Sequence, residues 1–554
     1  MSGPFRSTYA TAAVIVAVLV VGPTALPRQQ SQAAPPGGQG KVQPKPISPA
    51  EQAFRDALAV RDRQERLRAF QKLLTDWPDS PAVKNGAADF NILGLACAAE
   101  AAAAREARRA ADACIAKLPP GDRNRLAFQH FMMAMQFMRA DSLWADAERH
   151  ARKSLEYWDS RRTTLPTNAV GVDLERAVVT TILGQAVAKQ GRDDEAEPFL
   201  REAYQARADE PGVVGQVVPL LLAIARRHGR ADEQVEYLTA LALYGGLTPE
   251  LRKELEESYR RSHNGSLDGL EAMLDARYES ELPKAIVVEP FDRKVEPGAR
   301  TVLAEMFTGS SCAPCVGMDL ALEAAQRRYQ PRDLAVLVYH LHSPAPDPLA
   351  NPSALARAKA YGFGGGVPHV LVDGLAFDAE GGGKAAEAGS ILRSRLQPAI
   401  ERAMTVPAGA RVAVQVARTG DIVRARVTAD HLSKGTAPVR LQVALVEERV
   451  RYSGGNGIRF HPMVVRKLAG DGAGLPIWTT GQAKNDVVFD MVAIRRELKT
   501  YLDEFEAGKS DFGPYTFVEK KHDLDGSRLL VVAFVQEEGT RRVLQSALTR
   551  VPVR

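Results

Sequence analysis

The sequence predicts a multidomain protein made of an all-α helical-repeat region, an α/β domain and a C-terminal β-sandwich. Its 554 residues are too many for one hydrophobic core. Apolar residues recur at helical spacing from Ser48 to about Glu281. After Pro283 the pattern changes to short apolar runs that alternate with helices. After Pro407 most of the runs alternate apolar with polar residues, as half-buried antiparallel strands do. The expected divisions are 1–26, 27–47, 48–283, 284–405 and 406–554.

The first segment reads as a signal for export. Arg6 precedes the apolar run Ala10–Val21, and Gly22, Pro23, Thr24 and Ala25 follow as the small residues of a cleavage region. An uncleaved anchor is the second reading, because Arg6 and Arg28 bracket an uncharged stretch close to the roughly 20 residues a membrane helix needs. Pro23 and Pro27 argue against a helix running through it. The expected location is therefore outside the cytoplasm: periplasmic, cell-surface or secreted. Residues 27–47, rich in Pro, Gly and Gln, cannot bury a core and read as a linker.

Charge excludes one class of partner. Hydrophobic residues make up 45% and charged residues 25%, and the net charge of +5 is spread among interspersed Lys, Arg, Asp and Glu. No basic block suggests nucleic acid or an acidic membrane surface, so membrane attachment is expected only through the N-terminal segment.

In the helical region Ser48 is placed to cap a first helix that begins Pro49-Ala50-Glu51. Its clearest unit is Leu183-Gly184-Gln185-Ala186-Val187, Gly191, Ala196, Leu200 and Ala203. A weaker copy contains Leu222, Ala225, Gly229, Val235 and Leu238, and a half-unit precedes at Ala147, Ala151 and Leu155. Small residues at this spacing let antiparallel helices approach, and each Gly permits the tight turn. The unit resembles a tetratricopeptide helix pair, which implies a concave surface for a protein partner. An irregular helical bundle is the alternative.

Four cysteines do not make a disulfide scaffold. Cys97 and Cys114 lie in a stretch without Pro or Gly. As one helix it would part them by roughly 25 Å, too far for a disulfide. Folded back as two helices, it leaves the question open. Buried free thiols are the expectation.

Between 284 and 405 the strand-like runs are Ala285–Val288, Val302–Phe307, Leu334–Tyr339 and Val370–Val372. A helix separates the second from the third, with Met318, Leu322, Ala325 and Tyr329 on its apolar face and Asp319, Glu323 and Gln326 off it. Helices at Ala354–Tyr361 and Ile391–Met404 complete a helix-flanked sheet. In the last region the strands are Val412–Val416, Val423–Val427, Leu441–Val446 and Leu529–Val535, with a long polar insertion around 470–525.

Chemistry concentrates at Cys312-Ala313-Pro314-Cys315. The pair follows a strand directly and opens a helix, whose unpaired N–H groups favour a thiolate at Cys312. Cys315 is near enough to resolve a mixed disulfide, and Pro314 suits the first turn. Further along, Gly366-Val367-Pro368-His369 leads into the strand Val370–Val372. Strand, CxxC, helix, strand, helix, X-Pro, strand and terminal helix together resemble the thioredoxin fold over residues 300–405.

The likeness is nearest to exported thioredoxin-like proteins whose dithiol strand reads Glu-x-Phe-Thr-Gly, here Glu305-Met306-Phe307-Thr308-Gly309. These append a C-terminal β-domain, whose closing strands Ala533–Gln536 and Val543–Gln545 resemble. The resemblance implies that Cys312 attacks, Cys315 resolves and Pro368 is a cis-proline beside them. Two departures stand out. Ser311 occupies the place of a Trp, and the buried Asp of the family's strand has no clear counterpart. Glu305 is the nearest substitute for its proton-transfer role.

The expected function is a thiol–disulfide oxidoreductase of the cell envelope acting on protein thiols or disulfides, without cofactor or metal. Three alternatives remain open. The pair could be a static disulfide. It could bind copper or zinc with His340, His342 or His369, though no third ligand is set by spacing. Or the whole chain could be a non-catalytic scaffold that docks partners through its helical repeats and β-domain.

Overall fold

Ser48 does cap the first helix, Pro49–Ala59: its hydroxyl accepts the Glu51 amide at 3.2 Å. The computed structural model describes residues 47–553 apart from 99–103, 120, 141, 163–169, 207–210, 282–285, 294–297, 364–365, 377–382, 433–437, 471, 478–482 and 509–511. The expected signal or anchor at 1–26 and nearly all of the 27–47 linker lie outside the described residues. Among those residues, no helix is long and apolar enough to cross a membrane.

From Pro49 to Glu281 helix follows helix, and most of them pack on the next. Gly184, in helix Val170–Lys189, explains how closely two of them approach. A Cβ there would stand 2.8 Å from the side chain of Leu200 in helix Asp193–Ala206. Gly191 and Gly229 turn the chain with φ of +76° and +66°, a conformation that costs a glycine little. The residue after each turn then pairs across the helices, Arg192 with Glu148 and Arg230 with Glu197. Ala147, Ala151, Leu183, Ala196, Leu200, Leu222, Ala225 and Leu238 are buried, whereas Val235 stays exposed on the outer face. Cys97 and Cys114 end up on two different helices, Ala87–Cys97 and Ala104–Ala116, both free and buried. Burial pushes their thiols up to about 12 and about 11.

The remaining strands are β1 (Val302–Thr308), β2 (Leu334–His340), β3 (His369–Val372), β4 (Leu375–Ala376), β5 (Arg411–Thr419), β6 (Ile422–Asp430), β7 (Val439–Arg451), β8 (Phe460–Leu468), β9 (Leu475–Pro476), β10 (Ala483–Asp490), β11 (Leu529–Glu537) and β12 (Val543–Arg550). The run at Ile286–Val288 forms no strand. Ala285, the first residue of the expected run, lies outside the described residues, and Val287 is 87% exposed.

β1 pairs in parallel with β2 and antiparallel with β3, and β3 pairs with β4. Helix Val316–Arg328 packs on one face of this unit and helix Pro352–Ala360 on the other. Both β1 and β2 are therefore buried on both faces.

The sheet does not stop at residue 405. β2 also pairs in parallel with β8 (Val338 opposite Val464), and the sheet runs on through β7, β11 and β12, with β9 on β7. A smaller sheet, β10-β6-β5, lies over part of it. Alternate residues of β7 and β11 feed two cores: Ala444, Val446, Val532 and Phe534 face one, Val443, Leu445, Val531 and Ala533 the other. That is why the apolar run Leu529–Val535 shows no alternation. The expected polar insertion contributes β10 and the helix Met491–Glu506, capped by Asp490.

Candidate active site

β1 delivers the chain to the dithiol through Gly309, Ser310 and Ser311. No Cβ fits at Gly309, because it would collide with the Ser343 carbonyl. The Ser310 amide donates to Asp347 Oδ2 at 2.7 Å, which pins the loop from below. A single 3-10 turn, Ala313–Cys315, then opens helix Val316–Arg328. Cys312 and Cys315 form a disulfide with their Cα atoms 5.3 Å apart. Cys312 Sγ lies 3.8 Å from the Val367 carbonyl, and the Val367–Pro368 peptide beside it is cis. Both cysteines are buried, with Cys312 only 1% exposed.

Glu305 goes elsewhere. Alternation along β1 puts it on the face opposite Thr308, which bonds the dithiol helix. Its carboxylate is fully buried and takes two guanidinium N–H bonds from Arg357 at 2.9 and 3.0 Å. Tyr339 donates to it at 3.0 Å, and Tyr361 also donates. The proton-transfer role suggested by its place in sequence does not fit this geometry, since its oxygens are engaged away from the dithiol.

A different carboxyl lies on the helix that the dithiol opens. Asp319 is one helical turn past Cys315, so the two share a helix face, and Thr308 Oγ1 donates to its Oδ2 at 3.1 Å. Burial pushes Asp319 up to about 7, with His340 and Thr308 pulling the other way. Sequence reading missed it because it falls outside the apolar stripe of its helix. The signal was its spacing of four from Cys315.

Ionisation of Asp319 should destabilise the fold. Its folded-state value is raised above the ordinary 3.8, so the stability gained from its neutral form is present below about pH 4 and lost as pH rises through about 7. Asp319→Asn cannot ionise. Its urea midpoint relative to the parent chain should therefore improve from pH 4 to pH 8; a difference independent of pH would contradict the assignment.

The histidines are engaged separately. His340 Nδ1 lies 2.9 Å from Asp347 Oδ2, so that nitrogen carries the proton, while its buried Nε2 has no partner. Burial tends to raise Asp347, but His340 and the amides of Ser310 and Leu349 hold it at about 2. His342 accepts the Asp347 amide and stacks on Phe505, and burial lowers it to about 4. His369 stacks on Phe363. Among the described residues, no three His, Cys, Asp or Glu side chains gather as metal ligands would.

Over the dithiol lies the tip of the β7–β8 hairpin. The Asn456 amide donates to the Ser310 carbonyl at 3.0 Å, and its side chain reaches the carbonyls of Gly309 and Cys312 at 3.5 Å. No motif marks these residues, and only the sheet pairing brings them there. The sequence matches no protein-family model and no curated protein.

Proposed function

We propose that this chain is an exported thiol–disulfide oxidoreductase acting on protein thiols through Cys312 and Cys315 of a thioredoxin-like unit. The observation that carries the reading is the dithiol at a strand-to-helix junction, beside the cis Val367–Pro368 peptide that leads into β3. The sheet order β2-β1-β3-β4 around it supports the same reading. The tetratricopeptide-like helix pairs would offer a partner surface, and strands β5–β12 would form the appended β-domain, part of it continuous with the dithiol sheet through β2 and β8.

In the reducing direction the Cys312 thiolate attacks a substrate disulfide. A Cys312–substrate bond forms and one substrate sulfur leaves as thiolate. Cys315, giving its proton to Asp319, then attacks Cys312 Sγ and releases the second substrate thiolate. Two electrons pass from the dithiol to the substrate, and the same steps reversed oxidise it. The potential relative to the compartment decides the direction.

Trapping tests the reading. Cys315→Ala leaves Cys312 without its resolving thiol, so envelope extract should yield mixed disulfides that a reductant releases. An empty trap would favour the scaffold reading, in which the helical repeats and β-domain only dock partners.

A further inference from the structure

We propose that the helical region acts as a clasp that holds the β7–β8 hairpin shut over the dithiol, so that exchange at Cys312 requires this contact to open. The inference rests on the oxidoreductase reading of the same cysteines and adds its regulation.

Ala313 and Pro314 are exposed, yet Cys312 beside them is not. The cover is a close approach of main chains, joined by the Asn456 side chain. A Cβ on Gly454 would collide with the Ser310 carbonyl, and one on Gly455 would stand 3.0 Å from Ser311 Oγ. The far side of the hairpin is backed as tightly. Gly245, in the turn after helix Ala231–Leu243, has a φ of +64°, and a Cβ there would lie 2.6 Å from Gly454 C and Gly455 N. Three layers of main chain are stacked: the helical region's turn, the hairpin tip and the dithiol loop. A Cβ at Gly245 or Gly454 would collide with the main chain of the next layer, so the hairpin cannot tilt away without displacing Gly245.

Charge fastens the stack. Arg459 at the hairpin's edge, with its side chain 4% exposed, meets Asp275 at 2.7 Å and Glu271 at 2.5 Å, both on helix Leu270–Glu281. Arg451 reaches the same Asp275 at 2.5 Å, and Arg449 meets Glu279 at 3.5 Å. Arg252 also holds Glu271 at 2.8 Å. Burial would raise Glu271, but Arg252 and Arg459 outweigh it and keep it below the ordinary carboxylate range. Tyr278 packs its ring edge on Phe460, 5.5 Å between centroids. One helix face thus presents three acids to three arginines of the hairpin. Half-exposed pairs of this kind weaken in salt, whereas the enclosed Arg459 is costly to leave unpaired.

The test uses the full chain, reduced and freed of reductant, with the rate of iodoacetamide labelling read peptide by peptide. Asp275→Asn should speed labelling of Cys312 by about tenfold, between the effect of an exposed pair and that of an enclosed one. Raising NaCl to about 0.5 M should speed it in the unmutated chain. Cys97 and Cys114, buried in the helical region, should stay protected in both experiments, which separates opening of the clasp from unfolding. Unchanged Cys312 labelling in high salt and in the variant, with both helical cysteines still protected, would overturn the proposal. Should Asp275→Asn also expose Cys97 and Cys114, the salt series on the unmutated chain decides. Faster labelling with no electron transfer to any disulfide substrate would instead leave the clasp standing and remove the oxidoreductase reading.

Discussion

Cys312→Ser should abolish disulfide exchange outright, leaving only the background rate of the assay, because a hydroxyl does not ionise at neutral pH and does not displace a thiolate from a disulfide. Cys315→Ser should fail differently. The attacking thiol survives, so one mixed disulfide forms per chain and turnover then stops. Insulin reduction coupled to a reductant, with adduct mass read in parallel, distinguishes the two. The asymmetry follows from position. Cys312 faces the Val367 carbonyl and the covering hairpin, whereas Cys315 lies at the start of its helix on the side of Asp319. Equal adduct formation by both variants would contradict this assignment, and an adduct on Cys312→Ser alone would reverse the roles.

The largest effect on stability is expected at Arg357. This side chain is almost completely buried. It gives Glu305 a two-pronged bond, lies 4.4 Å over the Tyr361 ring and 5.1 Å from that of Phe534 in β11. Gln536, also on β11, donates to Tyr361 Oη at 2.9 Å. The cluster therefore sits on the seam where the α/β strands meet the C-terminal ones. Arg357→Leu strands the Glu305 carboxylate in the interior and should cost about 3–5 kcal/mol, the usual penalty for breaking a buried pair on one side. Arg357→Lys should recover only part of that, since an ammonium cannot reproduce the planar fork. Replacing Glu305 and Arg357 together with Leu should cost less than Arg357→Leu alone. Urea midpoints of the three variants check the order; a single-variant loss below about 1 kcal/mol, the level of an exposed pair, would contradict it.

Much of the local structure was legible. The apolar runs Val302–Phe307, Leu334–Tyr339 and Leu441–Val446 fall within β1, β2 and β7, because a buried strand needs little beyond uninterrupted apolar residues. Gly184 and Gly191 marked a helix pair for reasons that hold in the structure, close packing and a left-handed turn. The pairing of β2 with β8 was not legible, since no periodicity records which distant strand becomes a neighbour. Ile286–Val288 had the composition of a strand but forms none, and Val287 is exposed. The helix Met491–Glu506 was hidden in a polar stretch, where its buried positions, Ile494, Leu498 and Leu502, are spaced among charges.

The candidate site was legible in part for the same reason. Cys312, Cys315 and Pro368 could be named because short motifs carry their chemistry. Asp347 and Asn456 could not, since each reaches the dithiol loop from elsewhere in the chain. Glu305 was nearest in sequence to the role, but strand alternation turns it to the Arg357 face of β1.

The central claim is that Cys312–Cys315 cycles. Mass spectrometry of the alkylated full chain tests it most directly, first after dithiothreitol and then after a protein disulfide is added. Cys312 and Cys315 should each take one label after the reductant, and neither should take one once the substrate has gained two thiols. A pair that stays oxidised in reductant, or stays labelled when offered a disulfide, would contradict it.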